Sequence, residues 1–97
     1  MPTYISLLRY TQQGIEKIQE SPARLEAARK VFEKVGGKIK DFYLVSGRYD
    51  AILISEAPDD TAVAKACLSL GSRGNVRSET LRAFTEEQFR KIIEALP

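Results

Sequence analysis

Apolar and polar residues recur along the chain with periods that change from segment to segment. TYISLLRY, residues 3–10, is rich in β-branched and aromatic residues and reads as a strand. Thr11-Gln12-Gln13-Gly14 breaks it, and a short helical turn through Ile15 and Ile18 ends near Ser21. Ser21 then caps a helix that has Pro22 in its first turn, where no amide donor is needed. Leu25, Ala28, Phe32 and Val35 recur at helical spacing along it, and Gly36-Gly37 stops it with a left-handed glycine. KIKDFYLVS (38–46) and residues 50–57 are two more strands, joined by a few residues containing Gly47, as in a tight hairpin. Pro58 ends the third strand. Asp59 or Asp60 caps a helix through Val63, Ala66, Cys67 and Leu70, which closes at the Gly71-Ser72-Arg73-Gly74 loop. Val76 to Phe84 gives a fourth strand. Thr85 and Gln88 then form a capping box for a last helix, with Phe89, Ile92, Ile93 and Leu96 expected to point inward.

This order, β-α-β-β-α-β plus a terminal helix, predicts an α+β fold. It is a ferredoxin-like sandwich on a four-stranded antiparallel sheet, one domain over residues 1–97 with the first and third strands central. The strands do not alternate cleanly. Tyr4, Leu8 and Tyr10 share one face of the first, and Ile5 and Leu7 the other. Phe42 and Leu44 oppose Tyr43 and Val45 in the second, while Ala51 and Leu53 oppose Ile52 and Ile54 in the third. A sheet covered by helices on one side should be polar on the other. Here both faces are apolar, so a second subunit packed sheet against sheet is the expected cover. Periodicity leaves open which set faces inward.

Composition narrows the chemistry more than it names it. Fifteen basic and thirteen acidic residues leave a net charge of +2, too weak a bias for nucleic acid or an anionic membrane. RNA-recognition motifs share the element order but carry aromatics on the third strand; DAILISEA has none, so the stacking platform is missing. No apolar run is long enough to span a bilayer, and MPTYISLLRY lacks the pattern of a signal peptide; a cytoplasmic location is the expectation. There is one cysteine and no histidine, which removes a Cys/His nucleophilic pair, the commonest general base and the commonest metal ligand. Glu56, Asp59 and Asp60 read as strand-end and capping carboxylates, and Cys67 as a small core residue, so neither a metal nor another cofactor is expected.

Two turns stand out. In Gly47-Arg48-Tyr49-Asp50, glycine exposes backbone amides, Arg48 offers a planar donor fork, Tyr49 an amphipathic ring and Asp50 an acceptor. A plain structural role also fits: Gly47 for a positive φ, Asp50 as acceptor for turn amides. Gly74-Asn75 makes a turn after a helix. A phosphate cradle needs its glycines before one.

The landmarks YISLLRYTQQGI, SPARLEAARKVFEKVGGKIKDFYLVSGRYDAI, EAPDD and GSRGNVRSETLRAF resemble the GYD-domain family over roughly Thr3 to Ile93. That resemblance implies the dimeric α/β-barrel group, in which two ferredoxin-like sheets face each other. Val45, Gly47 and Asp50, with Gly74, Val76 and Thr80, are more distantly similar to the ligand-sensing domain of Lrp/AsnC-type regulators, with Asn75 inserted. That likeness implies small effectors held near such turns, at a subunit boundary. The expectation is a stand-alone homodimer or higher oligomer that binds a small molecule, with regulation as its use, at Gly47, Arg48, Tyr49, Asp50, Gly74 and Asn75. Two alternatives stay open: a cofactor-independent enzyme using Tyr4, Tyr10, Tyr43, Arg9, Arg82 and Glu79 in a barrel lumen, and a pure assembly protein.

Overall fold

The computed structural model describes residues Met1–Pro97. Strand β1 (Thr3–Tyr10) is followed by α1 (Gln12–Glu16), a 3-10 turn (Ile18–Glu20) and α2 (Ser21–Lys34); β2 (Lys38–Leu44) and β3 (Ala51–Glu56) form a hairpin; α3 (Asp60–Gly71), β4 (Val76–Ala83) and α4 (Glu86–Glu94) complete the chain. Local chemistry accounts for most of the boundaries. Thr11 ends β1: its hydroxyl accepts from the Gly14 amide at 3.0 Å and donates to the Gly74 carbonyl at 2.6 Å. Asp59 caps α3 by accepting from the Ala62 amide at 2.8 Å. Thr85 and Gln88 close the expected capping box on α4.

The start of α2 differs from the expectation. The 3-10 turn runs directly into it, Ser21 is its first helical residue, and the preceding Glu20 makes no side-chain cap. The Ser21 hydroxyl lies instead 3.3 Å from that of Tyr10.

The strands order β2-β3-β1-β4, all antiparallel, so β1 and β3 are central. This is the ferredoxin-like α+β architecture. Helices α2 and α3 cover one face. Between them and the sheet lie Phe32, Ala28, Val31, Val63 and Ala66 from the helices and Tyr4, Ile39 and Leu53 from the strands. The inward sets are therefore Tyr4, Leu8 and Tyr10 on β1 and Ala51 and Leu53 on β3, with Phe42 packed against the core from β2. On the open face Leu7 pairs with Ile52 and Ile52 with Tyr43, while Ile5 pairs with Ile54 and Leu81. Paired residues point the same way, so these six side chains form one apolar patch across all four strands.

Helix α4 overturns one expectation. Its apolar side does not point inward: no residue of it is buried, and Phe89, Ile92, Ile93 and Leu96 are between 44% and 60% exposed. The chain extends 50 × 31 × 17 Å, with a radius of gyration of 14.5 Å. A compact domain of this length has about 13 Å. The capping box and the Glu86–Arg90 and Glu87–Lys91 pairs hold the helix locally, without tertiary burial.

Candidate functional site

The two turns singled out by sequence meet at one end of the sheet, on either side of the C-terminal end of β1. Tyr10 donates its amide to Asp50 Oδ2 at 2.9 Å, and Thr11, the next residue, donates its amide to the Asn75 carbonyl at 3.1 Å. Both turns thus close on β1 within a single chain. Gly47 and Gly74 adopt φ of 149° and 83°, which other residues rarely do.

The polar groups here are largely committed to the fold. Asp50 extends the β1–β3 ladder by accepting from Tyr10, and its own amide donates to the Leu8 carbonyl at 2.8 Å. Arg9 Nε donates to the Arg48 carbonyl at 3.0 Å, and the Arg9 guanidinium stacks 4.9 Å from the Tyr49 ring centroid. Tyr49 reaches over β1 to donate to Glu79 at 3.4 Å. Asn75 Oδ1 accepts from Gln13 Nε2 at 2.9 Å. The Arg48 side chain has no hydrogen-bond or ion-pair partner and is exposed. Arg9, Tyr49 and Glu79 make a polar rim beside the apolar patch. Asn75 lies on the other side of the sheet, where it lines a cavity beneath α2.

The residues of the enzyme alternative are split by the sheet. Arg9, Tyr43 and Glu79 lie on the open face. Tyr4, Tyr10 and Arg82 lie on the helix side, away from any lumen between two sheets, because β1 and β4 alternate. Burial, then the hydrogen bond and charge of Asp60, push the Tyr4 phenol up to about 12, against the opposing charge of Arg82. Its hydroxyl donates to Asp60 Oδ1 at 2.5 Å at one wall of an open groove between α3 and β4. A phenol held neutral in this way is a donor, not a base, at ordinary pH.

The three carboxylates that could have been metal ligands each have a structural partner. Asp59 caps α3, Asp60 binds Tyr4 rather than capping, and Glu56 faces Lys38 and Lys40 at 3.5 and 3.9 Å. No three acidic or cysteine side chains converge as metal ligands would. Cys67 packs beside the core, 3.4 Å from the Thr80 hydroxyl. No helix is long and apolar enough to cross a membrane.

Arg24 was not legible as a functional candidate, although a signal existed. It stands at i−4 from Ala28 and i−7 from Val31, two buried residues of α2, so it places a charge on the buried side of that helix.

With the two turns closing on β1 and the sheet order in place, residues 4–93 match the GYD domain. The chain belongs to the GYD domain family. A relative from Thermus thermophilus is 38% identical over 84 residues, which is 86% of this chain and 88% of that protein; it is named glutamine synthetase and cystathionine beta-lyase binding protein. Among solved structures, a feast or famine regulatory protein from M. tuberculosis, complexed with L-methionine, superimposes with a TM-score of 0.66 at 15% identity over 91% of this chain. The regulator MtbAldR does so with a TM-score of 0.69 at 15% identity over 88%. This chain spans about half of each regulator, 56% and 54%, and at such identity the likeness shows the fold alone. Both belong to the Lrp/AsnC-type regulators that the sequence distantly resembles.

Proposed function

We propose that this GYD domain is a homo-oligomeric binding and regulatory module without catalysis of its own. Copies join through the open sheet face, and a small molecule is held at the sheet end where residues 47–50 and 74–75 flank β1. The observation that carries the reading is the open face itself. Ile5, Leu7, Tyr43, Ile52, Ile54 and Leu81 form an apolar patch that no helix of the chain covers. Covering such a surface stabilises by about 25 cal/mol per Å² before the costs of association. A two-fold pairing of sheets is the simplest cover, since it lets one patch serve both partners.

The name of the Thermus relative supports a binding role and adds a class of partner. A module that assembles through its sheet must dock on another protein with a different surface, and the exposed apolar side of α4 offers one. Sedimentation velocity tests assembly directly: a dimer or larger species is expected at micromolar concentration, and a stable monomer there would overturn the reading. Docking is tested by titrating the glutamine synthetase of the same source with this chain and with Phe89→Asp/Ile92→Asp. The double variant is expected to lose the enzyme while sedimenting like the parent.

A further inference from the structure

On the helix side of the sheet, beneath α2, lies a cavity of about 100 Å³. That is several times the space a single water molecule needs. One face of α2 forms a wall, because Ser21, Arg24, Leu25, Ala28 and Phe32 fall at spacings that share a helix surface. Phe42 and Leu53 make its body apolar, while Tyr10, Ser21 and Arg24 bring polar groups to it. The exposed residues Gly71, Arg73 and Ser78 mark its mouth.

Arg24 is the anomaly. Its Nη2 donates to the Gly14 and Lys17 carbonyls, at 3.0 Å each, which holds the guanidinium in place. Its Nε and Nη1 are sealed from solvent and meet no acceptor. A guanidinium stays charged at any ordinary pH, and burying its donors unpaired is unfavourable. No aspartate or glutamate lines the cavity to compensate it, and the second charged group there, Arg73, is also positive.

We infer that this cavity binds a small monocarboxylic acid with a short apolar body and no ammonium group. The carboxylate accepts from Arg24 and from the paired hydroxyls of Tyr10 and Ser21, and the hydrocarbon lies against Leu25, Phe42 and Leu53. An amino acid or amine is disfavoured, because its cation would meet only arginines. The free donors of Arg24 are covered in the structure, so the acid binds with a local shift that uncovers them. This inference rests on the small-molecule half of the function proposed above, but places the ligand beneath α2, where of the two turns only Asn75 lines the cavity, and not at residues 47–50; it is independent of the assembly half.

Calorimetric titration of the full chain with 4-methylpentanoate, with the neutral 4-methylpentanamide and with 4-methylpentylamine tests it. The acid is expected to bind saturably, the amide about tenfold more weakly or worse, and the amine not at all. Arg24→Met is expected to lose the acid by a similar factor while keeping its far-UV circular dichroism. Should that variant fail to fold, Ala28→Leu fills the cavity with Arg24 intact and is expected to lose the acid too. Equal affinity for acid and amide, undiminished binding by either folded variant, or no binding of any straight or branched acid from butanoate to octanoate would overturn the inference. Sedimentation of the same samples separates the two readings. A monomer that binds the acid refutes assembly alone, and an oligomer that ignores the acid refutes this site alone.

Discussion

Tyr4 supplies a prediction whose size follows from its surroundings. The side chain is 2% exposed, its hydroxyl donates to Asp60 at 2.5 Å, and its phenol is pushed up to about 12 from 10.0. Burial is the largest cause, followed by the hydrogen bond and the charge of Asp60. Because the folded value lies above the unfolded one, folding favours the protonated phenol. That contribution is complete below pH 10 and is lost as pH rises towards and through 12. Two units correspond to roughly 3 kcal/mol, most of it gone by pH 12.

Urea unfolding of the parent and of Tyr4→Phe, followed by circular dichroism from pH 8 to 12, measures this directly. Below pH 10 the variant should be less stable by about 1.5–3 kcal/mol, the range for a hydrogen bond to a charged group. Between pH 10 and 12 only the parent should lose the linked 2–3 kcal/mol, so the two stabilities converge or cross. Other groups titrate in both proteins and cancel in the difference. Asp60→Asn retains an acceptor but removes the charge, which brings the folded phenol down towards its unfolded value, so the alkaline loss should be smaller than the parent's and complete at lower pH. Parallel loss in parent and Tyr4→Phe would refute the reasoning, because Tyr4 would then not be the group that resists ionisation.

Three further outcomes are expected. A Cβ added at Gly14 would sit 2.0 Å from the Asn75 carbonyl oxygen, so Gly14→Ala should lower stability by about 1–3 kcal/mol in thermal or urea unfolding, as overpacking does. Asp50→Ala strands the Tyr10 amide and should cost about 1–2 kcal/mol, whereas Arg48→Ala removes no bonded partner and should stay within about 0.5 kcal/mol. If Asp50→Ala leaves binding of 4-methylpentanoate unchanged, it is a structural corner; lost binding by Arg48→Ala at unchanged stability would make that residue part of a site. Ser55 is fully buried with an unpartnered hydroxyl, so Ser55→Ala should be neutral or up to about 1 kcal/mol stabilising in urea unfolding.

Local signals were legible wherever the cause of a feature is local. The Thr85–Gln88 box, the Asp59 cap and the positive-φ glycine of the 47–50 hairpin each depend on residues a few positions apart. The strand order followed from element order, because short connections admit few topologies. Ser21 reads wrongly as a cap because nothing in its neighbourhood announces that a 3-10 turn will abut the helix and leave no capping geometry. The Tyr4–Asp60 bond joins residues 56 positions apart, and Arg24, two of whose donors find no acceptor, shares a cavity wall with residues of β1, β3 and the α3–β4 loop. Such facts belong to the assembled fold. The same limit explains α4: its period shows that one side wants burial but does not say whether this chain provides it.

The sheet itself separates the two proposed activities while keeping them within reach of each other. Leu8 and Tyr10 of β1 line the cavity beneath α2, and Leu7 and Arg9, between and beside them, belong to the open face. Neighbouring strand residues point to opposite sides, so no side chain is shared by the two surfaces. What they share is the backbone of one strand, fixed at its end by Asp50 on one flank and by the Asn75 carbonyl on the other. An acid that shifts Tyr10 must either move those two anchors or leave β1 where it is. In the first case the open-face side chains of Leu7 and Arg9 move with it, and affinity between copies changes by the same factor by which assembly changes affinity for the acid. In the second, cavity and interface are independent sites on one small scaffold. The two glycine turns thus occupy the position at which these cases divide, and Asp50, structural in its bonding, is the residue through which a structural role and a regulatory one would coincide.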